Sequence, residues 1–151
     1  MRDKSRKWPV FTEVWIWIQG ERDARVASTN YNGTSTTPSS VYEQRLTDLI
    51  ADIRAAYGTN ISFVAARLST NATDLSVDDA DGFWSVRQGM EDAVNADPNA
   101  DFVDTDDLTF YNDDLHYNTA GVLALGSRFA VKMDELLDAR SQRRGTVLIV
   151  R

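Results

Sequence analysis

The sequence predicts an α/β domain: a parallel sheet held between layers of helices. Three observations carry this. Short apolar runs rich in β-branched and aromatic residues, Val14–Ile18 and Ile61–Leu68, read as buried strands. Between them and after them stand segments with helical apolar spacing, so strands and helices alternate. The length, 151 residues and 16.9 kDa, suits one domain with a sizeable core. Alternation of this kind implies right-handed crossovers and a three-layer arrangement.

Val14-Trp15-Ile16-Trp17-Ile18 reads as a strand buried on both faces, ending at Gln19-Gly20-Glu21. Ser28 to Ser40 is polar and reads as a surface loop. Ser40-x-x-Glu43 predicts a capping box, followed by a helix with Tyr42, Leu46, Leu49, Ile50, Ile53 and Tyr57 on its apolar stripe and Gly58 at its end. Ile61–Leu68 is the second strand, and 69–81 a polar, Asp-rich loop. Phe83 to Asn95 forms a second helix with Val86, Met90 and Val94 inward, closed by Asp97-Pro98. Phe102-Val103 opens a short third strand. An Asp-, Asn- and Thr-rich loop runs from it to His116. The last helix runs from near Asn118 to about Ala139, with Val122, Leu125, Phe129, Met133 and Leu136 as its stripe. Thr146–Val150 has strand character and no evident partner. The chain therefore divides into a basic N-terminal segment, 1–10, a domain, 11–139, and a basic tail, 140–151.

Charge excludes one class of partner. Residues 1–7 hold four basic and one acidic residue, and 140–151 hold four basic ones, while 8–139 hold 8 basic against 22 acidic. A body that acidic repels phosphate backbones, so no nucleic-acid partner is expected. No apolar run is long enough to span a membrane, and no apolar stretch follows the basic start as in a signal peptide. Without cysteine there is no disulfide, no thiolate metal site and no cysteine nucleophile. One histidine and no cysteine do not make a zinc site. The carboxylates Asp78, Asp79, Asp81, Asp104, Asp106 and Asp107 fit no calcium loop. Placing Gly82 sixth puts Val77 first and Gln88 last, where Asp and Glu belong, so a solvated acidic surface is expected instead. Neither a metal nor a cofactor is expected, and no dinucleotide, P-loop or H-E-x-x-H pattern occurs. The sequons at Asn32, Asn60 and Asn71 are unremarkable in a chain rich in Asn and Thr.

Open α/β sheets bind ligands at the carboxyl ends of their strands. Two polar clusters fall there: Gln19-Gly20-Glu21-Arg22-Asp23 and Asp113-Asp114-Leu115-His116. A carboxylate three residues before a histidine can orient its ring, and Asp113 is placed to do so, with Asp114 as a competitor. Gln19 offers an amide N–H to a developing oxyanion, Gly20 permits close backbone approach, and Glu21 stands where it can hold the Gln19 amide.

In these blocks the sequence resembles the sialate O-acetylesterase-like carbohydrate esterases, a branch of the SGNH hydrolases. Trp17-Ile18-Gln19-Gly20-Glu21-Arg22-Asp23-Ala24 matches the family's W-x-Q-G-E-x-D-A block. Asp113-Asp114-Leu115-His116, with Ala120-Gly121 and Leu125-Gly126-Ser127-Arg128, matches D-x-L-H-x-x-x-A-G-x-x-x-L-G-x-R. Trp84-Ser85-Val86-Arg87 resembles a family helix, and Val103-Asp104-Thr105-Asp106-Asp107-Leu108 a strand exit, with the order kept across about residues 11–137. The resemblance implies a flavodoxin-like fold and removal of acetyl or other short acyl groups from sugar hydroxyls. It also implies His116 as general base, Asp113 as its orienting acid, Gln19 and Gly20 at the oxyanion, and Glu21 in support. An acylated carbohydrate is the implied partner.

Two departures stand out. Met90 takes a position where the family usually has Gln. The family's nucleophile lies in a G-x-S block upstream of Q-G-E, but thirteen residues precede Val14, too few for a strand, a serine and a helix. The only G-x-S, Gly33-Thr34-Ser35, lies in a polar loop, so no nucleophile is identified. The expectation is a C-terminal portion lacking the family's first strands, with the edge of the Val14–Ile18 strand bare. A complementing chain, a second copy or the 146–150 tail is then required to cover it. The alternative is a catalytically silent domain of the same fold that binds glycans or assembles with another chain.

Overall fold

The computed structural model describes residues 14–25, 39–72 and 80–145. The Gly33-Thr34-Ser35 loop and the 146–150 run lie outside them, as do Asp78 and Asp79. The order is β1 (Val14–Trp17), α1 (Glu21–Arg25), a 3-10 turn (Ser39–Val41), α2 (Tyr42–Tyr57), β2 (Ser62–Ala66), α3 (Ala80–Asn95), β3 (Ala100–Val103) and α4 (Thr119–Gly145). The three strands form one parallel sheet, β1-β2-β3, with Val14 beside Ser62 and Phe63 beside Ala100. This is the α/β sandwich the alternation predicts. No helix among the described residues is long and apolar enough to cross a membrane.

β2 is buried along its whole length, and its alternating side chains feed two cores. Phe63 and Ala65 pack with Tyr42, Leu46, Ile50 and Ile53 of α2 and with Phe83, Val86, Met90 and Val94 of α3. Val64 and Ala66 point the other way, to Val103 and to Leu125, Phe129 and Leu136 of α4. A period of two in the strand and of 3.6 in the helices produces this division. Each large side chain so buried stabilises the fold by roughly 1.5–3 kcal/mol. Met90, where the family has Gln, is wholly buried and belongs to the first core.

Four expectations are corrected. β1 is not buried on both faces: Trp15, Ile16 and Ile18 are 36%, 44% and 51% exposed. Among the described residues β1 pairs only with β2, and α4 packs chiefly across β2 and β3. The start of α2 is shifted from its predicted place. The 3-10 turn takes up Ser40, which leaves Val41 at the cap of α2 with no side-chain cap bond. Tyr57, on the last residue of α2, is exposed and leans on Trp15 at a ring separation of 6.1 Å. Val122 is exposed because its neighbour Gly121 takes the inward place, close against Thr109. Gly58 does end α2: its φ of 121° is in the left-handed half of the map, and its N–H reaches the Arg54 carbonyl at 2.9 Å.

Candidate active site

Both polar clusters lie at the carboxyl ends of strands. Gln19 lies two residues past the end of β1, and two groups hold it, one of them braced by Trp17. The Tyr42 hydroxyl donates to its backbone carbonyl at 2.9 Å and accepts the Trp17 indole N–H at 3.1 Å. Its side-chain Nε2 donates to Asp23 Oδ2 at 2.8 Å. The amide partner is therefore Asp23, one helical turn on, and not Glu21. Burial pushes the Tyr42 hydroxyl well above its ordinary pKa, so it stays a donor. Gly20 has a φ of 139°, and the place of its missing Cβ is hemmed by the Tyr42 hydroxyl and Val86 at 3.1 Å and Leu68 at 3.4 Å. Its bareness therefore faces the core. Glu21 opens α1.

The second cluster sits on the loop after β3. Asp113 folds back on its successors. Its Oδ1 accepts the backbone N–H groups of Leu115 at 3.1 Å and His116 at 2.9 Å, and its Oδ2 stands 2.7 Å from His116 Nδ1. The backbone bond from His116, then its ring, then the Leu115 N–H hold the Asp113 carboxyl down to about 2. It is thus an ionised, acceptor-only partner across the neutral range. Asp114 makes the turn instead, at φ 52°, a conformation its short polar side chain tolerates. Of the two aspartates, Asp113 is the one that faces the ring. Both members are open to solvent, His116 with 71% and Asp113 with 50% of the side chain exposed.

Tyr117, beside His116, is half-buried, and sequence reasoning passes over it. Burial raises its pKa, a hydrogen bond with Thr105 opposes this, and the charges of Glu21 and Asp106 add to the rise. Its ring packs on Phe110 at 4.6 Å. Leu115 reaches the core under α2 and α3 while Tyr117 reaches the core under α4, so the chain around His116 straddles the end of the sheet.

Below this loop the acidic strand exit is solvated at Asp104 and Asp107, 59% and 71% exposed, but each of its carboxylates is paired with an arginine. Arg87, 7% exposed, donates to Asp106 Oδ1 at 2.9 Å and Oδ2 at 2.7 Å and to the Leu68 carbonyl. Arg67 bridges Glu91 at 2.9 Å, Asp104 at 2.7 Å and Asp106 at 3.2 Å. Arg128 grips both oxygens of Asp107 at 2.6 Å. Burial works against ionisation of Asp106, but Arg87 and the Thr70 N–H outweigh it and hold its carboxyl at about 2. These carboxylates have arginine partners. Among the described residues no group of three or more His, Asp or Glu side chains is arranged to hold a metal. A groove of about 320 Å³ between Val103, Asp104, Ser127, Arg128, Val131 and Lys132 lies at the β3 side of the sheet, across β2 from Gln19.

Tyr42, Asp23 and Tyr117 are the site-adjacent residues that motif reading misses. Asp23 was recoverable, since Gln19 and Asp23 are four apart at a helix start. The other two depend on tertiary packing.

No curated protein and no solved structure matches the chain. A family model described as carbohydrate esterase, sialic acid-specific acetylesterase, matches residues 5–135, and so takes in both strand-end clusters and the sheet between them. The chain belongs to the sialic acid-specific acetylesterase family of carbohydrate esterases.

Proposed function

We propose that this chain carries the acid–base and oxyanion parts of a serine-type carbohydrate O-acetylesterase, and that the serine comes from outside this chain. The observation that carries the reading is the 2.7 Å contact between Asp113 Oδ2 and His116 Nδ1 on a solvent-open loop at the sheet's carboxyl end. With Nδ1 engaged, Nε2 is the nitrogen left to act. It takes the proton of a serine hydroxyl as the oxygen attacks the acyl carbonyl, and the imidazolium that forms is steadied by Asp113. The Gln19 amide, turned by Asp23, keeps one N–H for the tetrahedral oxyanion. Collapse returns the proton to the departing sugar oxygen. A water, activated by the same ring, then releases the acid and restores the serine.

Fluorophosphonate labelling read by intact mass and peptide mapping tests where the serine lies. The expected result is no adduct on the purified, folded chain. A stoichiometric adduct on one serine, lost in His116→Ala, would overturn the external serine and make the chain a complete esterase. Acetyl release from O-acetylated sugars by protein that includes the serine segment tests the base. His116→Ala is expected to lower the rate by about 10²–10⁴-fold with sugar affinity kept. Sugar binding without release in either protein would favour a silent glycan-binding domain.

A further inference from the structure

We propose that Asn118 is the positioning residue of the Asp113–His116 pair, its one carboxamide both starting α4 and closing the loop that carries the pair. The inference rests on reading His116 as the general base. The pair cannot hold itself, because both side chains are largely exposed, and an exposed ion pair or hydrogen bond contributes little against side-chain freedom. Order has to come from the backbone beneath. Four bonds of Asn118 tie the loop to the start of α4. Its Nδ2 donates to the Phe110 carbonyl at 3.0 Å, and its Oδ1 accepts the Thr109 hydroxyl at 2.7 Å. The same Oδ1 accepts the Gly121 N–H at 3.0 Å, the capping bond of α4. Its own N–H reaches the Thr109 carbonyl at 3.1 Å. Two more, from the Tyr111 N–H to the His116 carbonyl at 2.8 Å and from the Asp114 N–H to the Tyr111 carbonyl at 3.1 Å, lie inside the closure.

Gly121 completes the lock from the helix side. A Cβ there would collide with the Thr109 carbonyl oxygen, so the loop and the first turn of α4 touch only because residue 121 has no side chain. A 27-residue helix anchored in a core is thereby the fixed reference for an exposed loop.

The test reads the ring itself, since His116 is the only histidine in the chain. Long-range ¹H–¹⁵N spectra of the full chain report which ring nitrogen is protonated. Native protein at a pH where the ring is neutral is expected to carry the proton on Nδ1, facing Asp113. Asn118→Asp keeps both Oδ1-type acceptor roles, and with them the cap, but loses the donor to Phe110. It is expected to retain helical circular dichroism while losing the Nδ1–H preference. In that background Asp113→Asn should no longer move the ring signals. Gly121→Ala, with Asn118 intact, pushes the loop off the helix and should give the same loss; it decides the matter if Asn118→Asp does not fold. Folded variants that keep the native tautomer would overturn the role of Asn118 and leave the pair standing. An Nε2-protonated ring in the native protein would instead sink the assignment of His116 and Asp113.

Discussion

At Gly20 the fold and the candidate site meet in one residue. Its φ of 139° and the groups 3.1 Å from the missing Cβ leave no room for a methyl group unless Tyr42 or Val86 moves. Tyr42 is also the group that holds the Gln19 carbonyl. Gly20→Ala is therefore expected to lower stability by about 1–3 kcal/mol, through crowding and a strained φ, as measured by denaturant melts. The spacing D-x-x-H made the Asp113–His116 pair legible in the sequence, because the contact is local. The Gln19–Asp23 bond was equally local, yet the Q-G-E block drew attention to Glu21, the nearer acid in the chain but not the one that a helical turn presents. Tyr117 was illegible: its neighbours Thr105, Asp106 and Glu21 reach it only through the fold.

Among the elements, the arginine–carboxylate network joins the exits of β2 and β3 to α3. Asp106 is its centre, taking Arg87, Arg67 and the Thr70 N–H. Its pKa is depressed from 3.8 to about 2, so its contribution is full above 3.8 and lost as pH falls towards 2. That shift corresponds to on the order of 2 kcal/mol. Acid unfolding of the native chain should steepen between pH 4 and 2, and Asp106→Asn should be less stable at neutral pH with a shallower loss over that window. An Asp106→Asn profile parallel to the native one would contradict this linkage. Strand and helix positions were readable from periodicity, with α2, α3 and β2 close to their predicted places. The 3-10 turn before α2 was not, because Ser40 and Glu43 fit a capping box equally well on paper. Nor was the pairing of the acidic run, since each carboxylate finds an arginine roughly 20 or more residues away.

The whole molecule is covered unevenly. One face of the sheet carries α1, α2 and α3, and the other, among the described residues, carries α4 alone. Met90→Ala, in the well-covered core, is expected to cost about 2–5 kcal/mol. Ile16→Thr, on the bare side of β1, should change stability by less than about 1 kcal/mol, and equilibrium melts compare the two directly. The parallel sheet was legible from strand–helix alternation, but the exposure of β1 was not. An apolar run says that a strand prefers burial, not that neighbours exist to bury it.

The division of β2 between two cores also sets the order in which the chain can complete itself during synthesis. The fully buried members of the first core all lie before Ala100, because α1, α2, β2 and α3 leave the ribosome early. The second core waits for Leu125, Phe129 and Leu136. Until those residues emerge, the chain is at a stage at which Val64, Ala66 and Val103 lack the helix that buries them. The helix that ends this stage is the one rooted in the His116 loop, which makes the candidate site among the last parts of the molecule to take shape.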